Sequence, residues 1–167
     1  MRARPVLVHL PFVCVLVPAV LVRIAAVLGY PAPMWFGDSP EYLESAIEAR
    51  PGETRPAGYS LLLWLLKPFH SLTVVVSVQH AIGLLTGVLV YVLVWRAARD
   101  VVSPWAAGVL GAALTVPVLL PAHQVALEHM LMSDTLFAFL LLAAVAAVLW
   151  RRRTTWWLGA LAGVFAA

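Results

Sequence analysis

The chain has 167 residues, 63% of them hydrophobic and only 11% charged, with a formal net charge of +3 and a mean hydropathy of +0.94. A water-soluble domain needs a charged skin around its core, and these charges are too few to make one, so the bilayer is the expected solvent. The basic residues fall in short clusters between apolar runs and give no nucleic-acid signal, and the single Cys14 rules out a disulfide framework.

The first apolar run, Val6 to Gly29, is interrupted only by His9, Arg23 and prolines, and is long enough to cross roughly 30 Å of hydrocarbon. It exceeds the apolar core of a signal peptide and lacks a small-x-small cleavage site before polar sequence, so it reads as a retained helix. Cys14 inside it reads as a small core hydrophobe. Arg23, near the outer end, is placed to snorkel.

Residues 30–71 follow as a long outer loop. Tyr30, Pro31, Pro33, Trp35 and Phe36 form an aromatic, proline-stiffened exit of the kind favoured at a membrane interface. The stretch GDSPEYLESAIEA then holds four of the eight acids: Asp38, Glu41, Glu44 and Glu48. Ser39-Pro40 reads as an N-cap followed by proline at the first helical position, opening a helix over about 39–49. Leu43, Ala46 and Ile47 share one face of it and Glu41, Glu44 and Glu48 the other, which describes a short amphipathic helix on the membrane surface. Glu44 and Glu48 read as a solvated face. Glu41 favours the positive helix N-terminus. Asp38 is a second-choice cap beside Ser39, and Arg55 has the alternative of neutralising lipid headgroups. After the turn signals around Pro51-Gly52 and Arg55-Pro56, residues 57–69 are apolar but too short to cross, and read as a second interfacial or re-entrant helix.

Further spans are expected over 72–95, 104–122 and 130–150. Gln79 and His80 in the second span read as interhelical hydrogen-bonding residues, and Gly83 with Gly87 as a close-packing pair. PAHQVALEHMLMSD joins the third and fourth spans at the outer boundary. Glu128 and Asp134 in it are spaced so that they cannot meet on one helix face, and His129 points elsewhere than Glu128. Without i, i+4 histidine spacing no ready-made zinc site is expected. Asp134, with Ser133, has the plain reading of a helix-start charge; a carboxylate opening an apolar run is otherwise costly unless it faces protein, water or a partner. The apolar segment 156–167 is too short to cross as a helix, so the chain is expected to be the N-terminal part of a longer protein. Arg2, Arg4, Arg96, Arg99 and Arg151–Arg153 fall on one side of alternating spans. The positive-inside rule makes that side cytoplasmic, N-terminus included.

In its order of elements the chain resembles the N-terminal part of the type C superfamily of membrane glycosyltransferases. It looks most like bacterial relatives of the protein O-mannosyltransferases and of the lipid A aminoarabinose transferase. The resemblance is carried by GDSPEYL, ETRPAGYSLLL, HAIGLLTGVLVYVLVWR and LEHMLMSDTLFAFLLL. It implies an all-α, polytopic helix bundle in a bacterial plasma membrane, with the active site at the outer face. It implies a polyprenyl-phosphate-linked sugar as donor, transfer with inversion, no nucleotide fold, and an acceptor (lipid, glycan or protein) that is not specified. Asp38 matches the family's first-loop carboxylate, which takes the acceptor's proton or orients the acceptor. Arg55 matches a basic position that contacts the donor phosphate. Glu41, Glu128 and Asp134 stand as supporting acids. Many relatives have Asp-Glu adjacent where this chain has Asp38-Ser39, so a bridging divalent cation is left open. The rival expectation is a transporter or lipid-flippase subunit, which would call for acids at mid-membrane or inverted repeats. A non-catalytic assembly protein is the third.

Overall fold

The structure, a computed structural model, describes residues 7–50, 52 and 55–150. The basic clusters at residues 2–4 and 151–153 and the apolar segment 156–167 lie outside the described residues. Among those described there are helices and turns, one isolated β-bridge and no strand.

A 3-10 turn, Leu7–His9, leads into α1 (Leu10–Gly29). The first long connection holds α2 (Ser39–Glu48) and α3 (Ala57–Leu66), the latter extended by a 3-10 turn over Lys67–Phe69. Then come α4 (Leu72–Ala98), α5 (Pro104–Leu119), α6 (Ala122–His129) and α7 (Asp134–Leu149). The segment Leu7–Gly29 and α4 are each long and apolar enough to cross a membrane. Leu21 and Leu28 of α1 stay 59% and 78% exposed, a pattern suited to an apolar solvent.

Two expected spans are altered. Residues 104–122 do not run as one helix: α5 and α6 meet at a 55° bend and reach spanning length only as a broken pair. Pro121 sits at that bend, has no N–H to continue the ladder, and its ring would clash with the preceding turn. Residues 130–150 give a shorter helix than expected, because Met130 is extended (φ −81°, ψ 145°) and bridges to Met34; α7 starts only at Asp134.

The central helix is α4, which packs against α1, α3, α5, α6 and α7. Small residues let the backbones approach. Gly87 lies on Leu119, Gly111 on the Tyr91 ring, and Gly108 on the Val8 carbonyl. Phe12, Ala19, Tyr91, Ala112 and Leu119 form one apolar cluster between α1, α4 and α5. A second, of Tyr42, Ala46, Tyr59, Leu63, Val75 and Leu131, ties α2 and α3 to α4 and to the α6–α7 link.

The side of α2 that packs on the protein is only partly its apolar stripe. Ser39, Tyr42 and Ala46 are buried, whereas Ile47 is 57% exposed. Tyr42 turns the helix: its ring meets Tyr59 edge-on at 5.0 Å and its hydroxyl lies 3.0 Å from Ser133 Oγ. Ile47, Leu61, Trp64, Leu65 and Phe69 are left as an exposed apolar rim on α2 and α3.

Candidate functional site

Two groups of polar side chains lie at the end of the molecule that carries the long connection. One is open and one is sealed.

The open group is built on the start of α2. Asp38 occupies the N-cap position, but its carboxylate caps nothing. An N-cap side chain bonds the N–H of the second or third helical residue, and Pro40 in the first turn has removed one of those donors. Ser39, expected as the cap, is instead the first helical residue and fully buried. Its hydroxyl accepts from the Phe36 N–H at 2.8 Å and donates to the Leu131 carbonyl at 2.9 Å. Asp38 therefore turns outward, where Arg55 Nη2 donates to its Oδ1 at 2.7 Å. Glu41 joins from the first turn, with Oε2 3.9 Å from Arg55 Nε. Gly52 permits this arrangement: a Cβ there would stand 2.9 Å from Glu41 Oε1 and 3.0 Å from Ser45 Oγ.

So Asp38, Arg55 and Glu41 do come together. Arg55 is 41% exposed and Asp38 24%, and ion pairs in such positions contribute at most about 1 kcal/mol. The pair opens at small cost to a competing anion.

Asp134 and Glu128 do not enter this group. Asp134 is exposed in the first turn of α7. That turn is docked to α2 by the Tyr42–Ser133 contact, with Leu131 accepting from Ser39.

Glu128 anchors the sealed group, which the sequence reading did not assemble. It is fully buried and receives Arg23 Nη2 at 2.6 Å on Oε1 and Arg23 Nε at 2.7 Å on Oε2. Arg23 is 2% exposed, so it does not snorkel. Its Nη1 donates to the Leu119 carbonyl at the end of α5 (2.9 Å) and to Ala19 (3.1 Å). One guanidinium thus grips both sides of the α5–α6 bend. Arg23 lies about 9 Å inside the Gly29 end of α1 and His80 about 12 Å inside the Leu72 end of α4.

His80 Nδ1 is 2.9 Å from Glu128 Oε2, and its Nε2 is 3.0 Å from His129 Nδ1. Glu128 and His129 therefore converge on one imidazole rather than pointing apart. They can do so because α6 ends at His129, and the two side chains straddle His80 instead of sharing a helical face. Gln79 donates from Nε2 to the Glu128 and Met130 carbonyls, at 2.9 and 2.6 Å, and accepts from the Tyr59 hydroxyl. Burial, with Tyr42 adding to it, holds the Tyr59 phenol above its ordinary range and so keeps it a donor. Gly83 lies against the Glu128 carboxylate.

Backbone pairing joins the two groups. Met34 N–H donates to the His129 carbonyl at 2.9 Å, and Leu131 N–H to the Met34 carbonyl at 3.0 Å. Among the described residues no three His, Cys, Asp or Glu side chains are grouped to hold a metal ion. A signal for the sealed group was present in the sequence, a cation in the first apolar run and an acid just beyond the third, since charges among apolar spans need partners.

Comparison with protein-family models, with curated proteins and with solved structures finds no match for this chain.

Proposed function

We propose that this chain belongs to a membrane-embedded glycosyltransferase that moves a sugar from a polyprenyl phosphate to an acceptor hydroxyl. The observation that carries the reading is the Asp38–Arg55 pair: a carboxylate freed from capping, in contact with a guanidinium, on a half-open surface. In this reading the first loop faces the outer side of a bacterial plasma membrane, with the N-terminus cytoplasmic. The apolar rim of Ile47, Leu61, Trp64, Leu65 and Phe69 rests on the lipid, bringing α2 and α3 to the level of lipid headgroups.

The chemistry follows from the pair. The donor's phosphate competes with Asp38 for Arg55 and draws the guanidinium away. Asp38 is then a free base within reach of the acceptor. It takes the hydroxyl proton as the acceptor oxygen bonds to the anomeric carbon from the face opposite the phosphate. The bond from that carbon to the phosphate oxygen breaks, the configuration inverts, and polyprenyl phosphate leaves. Arg55 stabilises the charge that gathers on it. Glu41 holds the guanidinium from the other side.

The test is transfer from labelled polyprenyl-phosphate sugars in membranes carrying the full-length protein. Asp38→Asn is expected to lose at least about 10²-fold in rate, the typical weight of a positioned base. Equal transfer by wild type and Asp38→Asn at matched expression would remove Asp38 from the chemistry.

One observation favours a second reading, a transporter or lipid-flippase subunit. Arg23, Glu128 and His80 are ionisable side chains buried between helices long enough to span, the setting in which transport sites occur. Substrate or proton flux into vesicles that is lost in Glu128→Gln and kept in Asp38→Asn would select it.

A further inference from the structure

The sealed group contains a proton inventory that can be counted from its bonds. Glu128 has four acceptor sites on its two oxygens, and four donors reach them: Arg23 Nε and Nη2, Gln124 Nε2 at 3.2 Å, and His80 Nδ1. Two of these form a bidentate guanidinium pair, which is the geometry of an ionised carboxylate. His80 Nδ1 must therefore carry a hydrogen. At the other end, His129 Nε2 faces two carbonyl oxygens, Tyr30 at 2.8 Å and Ala32 at 3.1 Å. Carbonyls only accept, so this nitrogen carries a hydrogen too. Between the rings, His80 Nε2 and His129 Nδ1 are 3.0 Å apart, and that bond takes one hydrogen and no more.

The four ring nitrogens then hold three hydrogens, where two neutral imidazoles hold two. We propose that His80 and His129 together bind one additional proton. This buried, shared cation is the clasp that fastens the Tyr30–Met34 segment, and with it the approach to Asp38, onto α6.

The surroundings fit this charge. The α1 element contributes Arg23 and α6 contributes Glu128, so the group without the shared proton is a neutral pair. The α5 element presents only the Leu119 carbonyl, taken by Arg23. From α3, Tyr59 faces Gln79 rather than the imidazoles. The Tyr30 ring lies beside His129 at 5.8 Å. Asp134 of α7 is exposed and outside the group. Glu128 is therefore the one carboxylate among the described residues in contact with the cation. A groove of about 250 Å³ between α1 and α4 counts Arg23, Ser77 and His80 among its mostly apolar lining residues.

Two consequences follow. Removing the third proton forces one of three links to open: Glu128–His80, His80–His129, or His129 to the Tyr30 and Ala32 carbonyls. Adding a fourth sets two N–H groups against each other across the 3.0 Å gap. The clasp is closed for a single protonation state, whether or not the loop it holds is catalytic.

The measurement is nitrogen-15 NMR of the full-length protein, histidine-labelled, in lipid nanodiscs at about pH 7, where an imidazole's charge state is open to its surroundings. The expected spectrum has three protonated nitrogens on two rings, with scalar coupling across one N–H···N bond. His80→Gln and His129→Gln each abolish that coupling and assign it. Raising the pH until the third proton leaves is expected to speed hydrogen exchange at the Met34 and Leu131 amides beyond the base-catalysed rise shared by all amides. Two neutral rings at a pH where those amides stay protected would overturn the proposal. The wild-type spectrum decides the question even if neither variant folds.

Discussion

The buried Arg23–Glu128 pair makes the sharpest energetic statement in the molecule. Arg23→Met leaves a fully buried carboxylate without its two shortest bonds, at 2.6 and 2.7 Å, and uncaps the Leu119 carbonyl at the α5–α6 bend. Removing one partner of a buried pair costs about 3–5 kcal/mol. At about 1.4 kcal/mol per tenfold, the ratio of folded to unfolded protein falls by a factor of about a hundred to several thousand. Glu128→Met strands Arg23 and is expected to cost as much. The double variant removes both charges, so its loss should fall short of the sum by about 2–3 kcal/mol, the upper range for residues in contact. Reversible unfolding of the four proteins in mixed micelles, titrated with denaturing detergent, measures the cycle. A loss below about 1 kcal/mol for Arg23→Met would mean that the guanidinium sits at a solvated level, as a snorkelling residue does.

Three further substitutions probe the same architecture. Gly83→Ala places a Cβ against the Glu128 carboxylate and should cost about 3 kcal/mol or more in the same assay, by displacing the pair. Gly58→Ala, at a helical position with nothing within 4 Å, should instead gain about 0.5–1 kcal/mol. Tyr59→Phe strands the buried Gln79 carbonyl oxygen and should cost about 1–3 kcal/mol, read as a lower unfolding midpoint with an unchanged slope.

Local patterns were legible where local physics decides them. The apolar runs beginning near Val6 and at Leu72 announced α1 and α4, and turn residues around Pro40 and Pro56 bracketed α2 and α3. Ser103-Pro104 capped α5 as such a pair should, with Ser103 Oγ accepting from the Ala106 N–H. What could not be read was contact between distant segments. Hydropathy treats residues 104–122 as continuous, yet Pro121 breaks them and α6 turns inward with Glu128. Amphipathic spacing set Leu43, Ala46 and Ile47 on one face of α2, but it gave no sign that Tyr42 packs against Tyr59 and fixes which side of the helix meets the protein. Asp38 and Arg55 were named separately from the sequence, and only the folded loop brings them to 2.7 Å. Arg23 and Glu128 are 105 residues apart, and each had a separate reading in the sequence, Arg23 as a snorkelling residue and Glu128 as an acid of the outer loop.

In the proposed function, Arg55 exchanges Asp38 for the phosphate of a lipid-linked donor. The direct measurement is the affinity of a short-chain polyprenyl monophosphate for the full-length protein in nanodiscs, comparing wild type, Arg55→Ala, Asp38→Asn and Glu44→Gln. Arg55→Ala should bind about tenfold or more weakly, the loss expected for a charge-assisted contact of about 1.5–3 kcal/mol. Asp38→Asn, which removes the competing carboxylate, should bind as tightly as wild type or more so. Glu44→Gln, on the exposed face of α2, should be unchanged. Equal affinity for wild type and Arg55→Ala would contradict the claim and leave the Asp38–Arg55 pair as a surface ion pair.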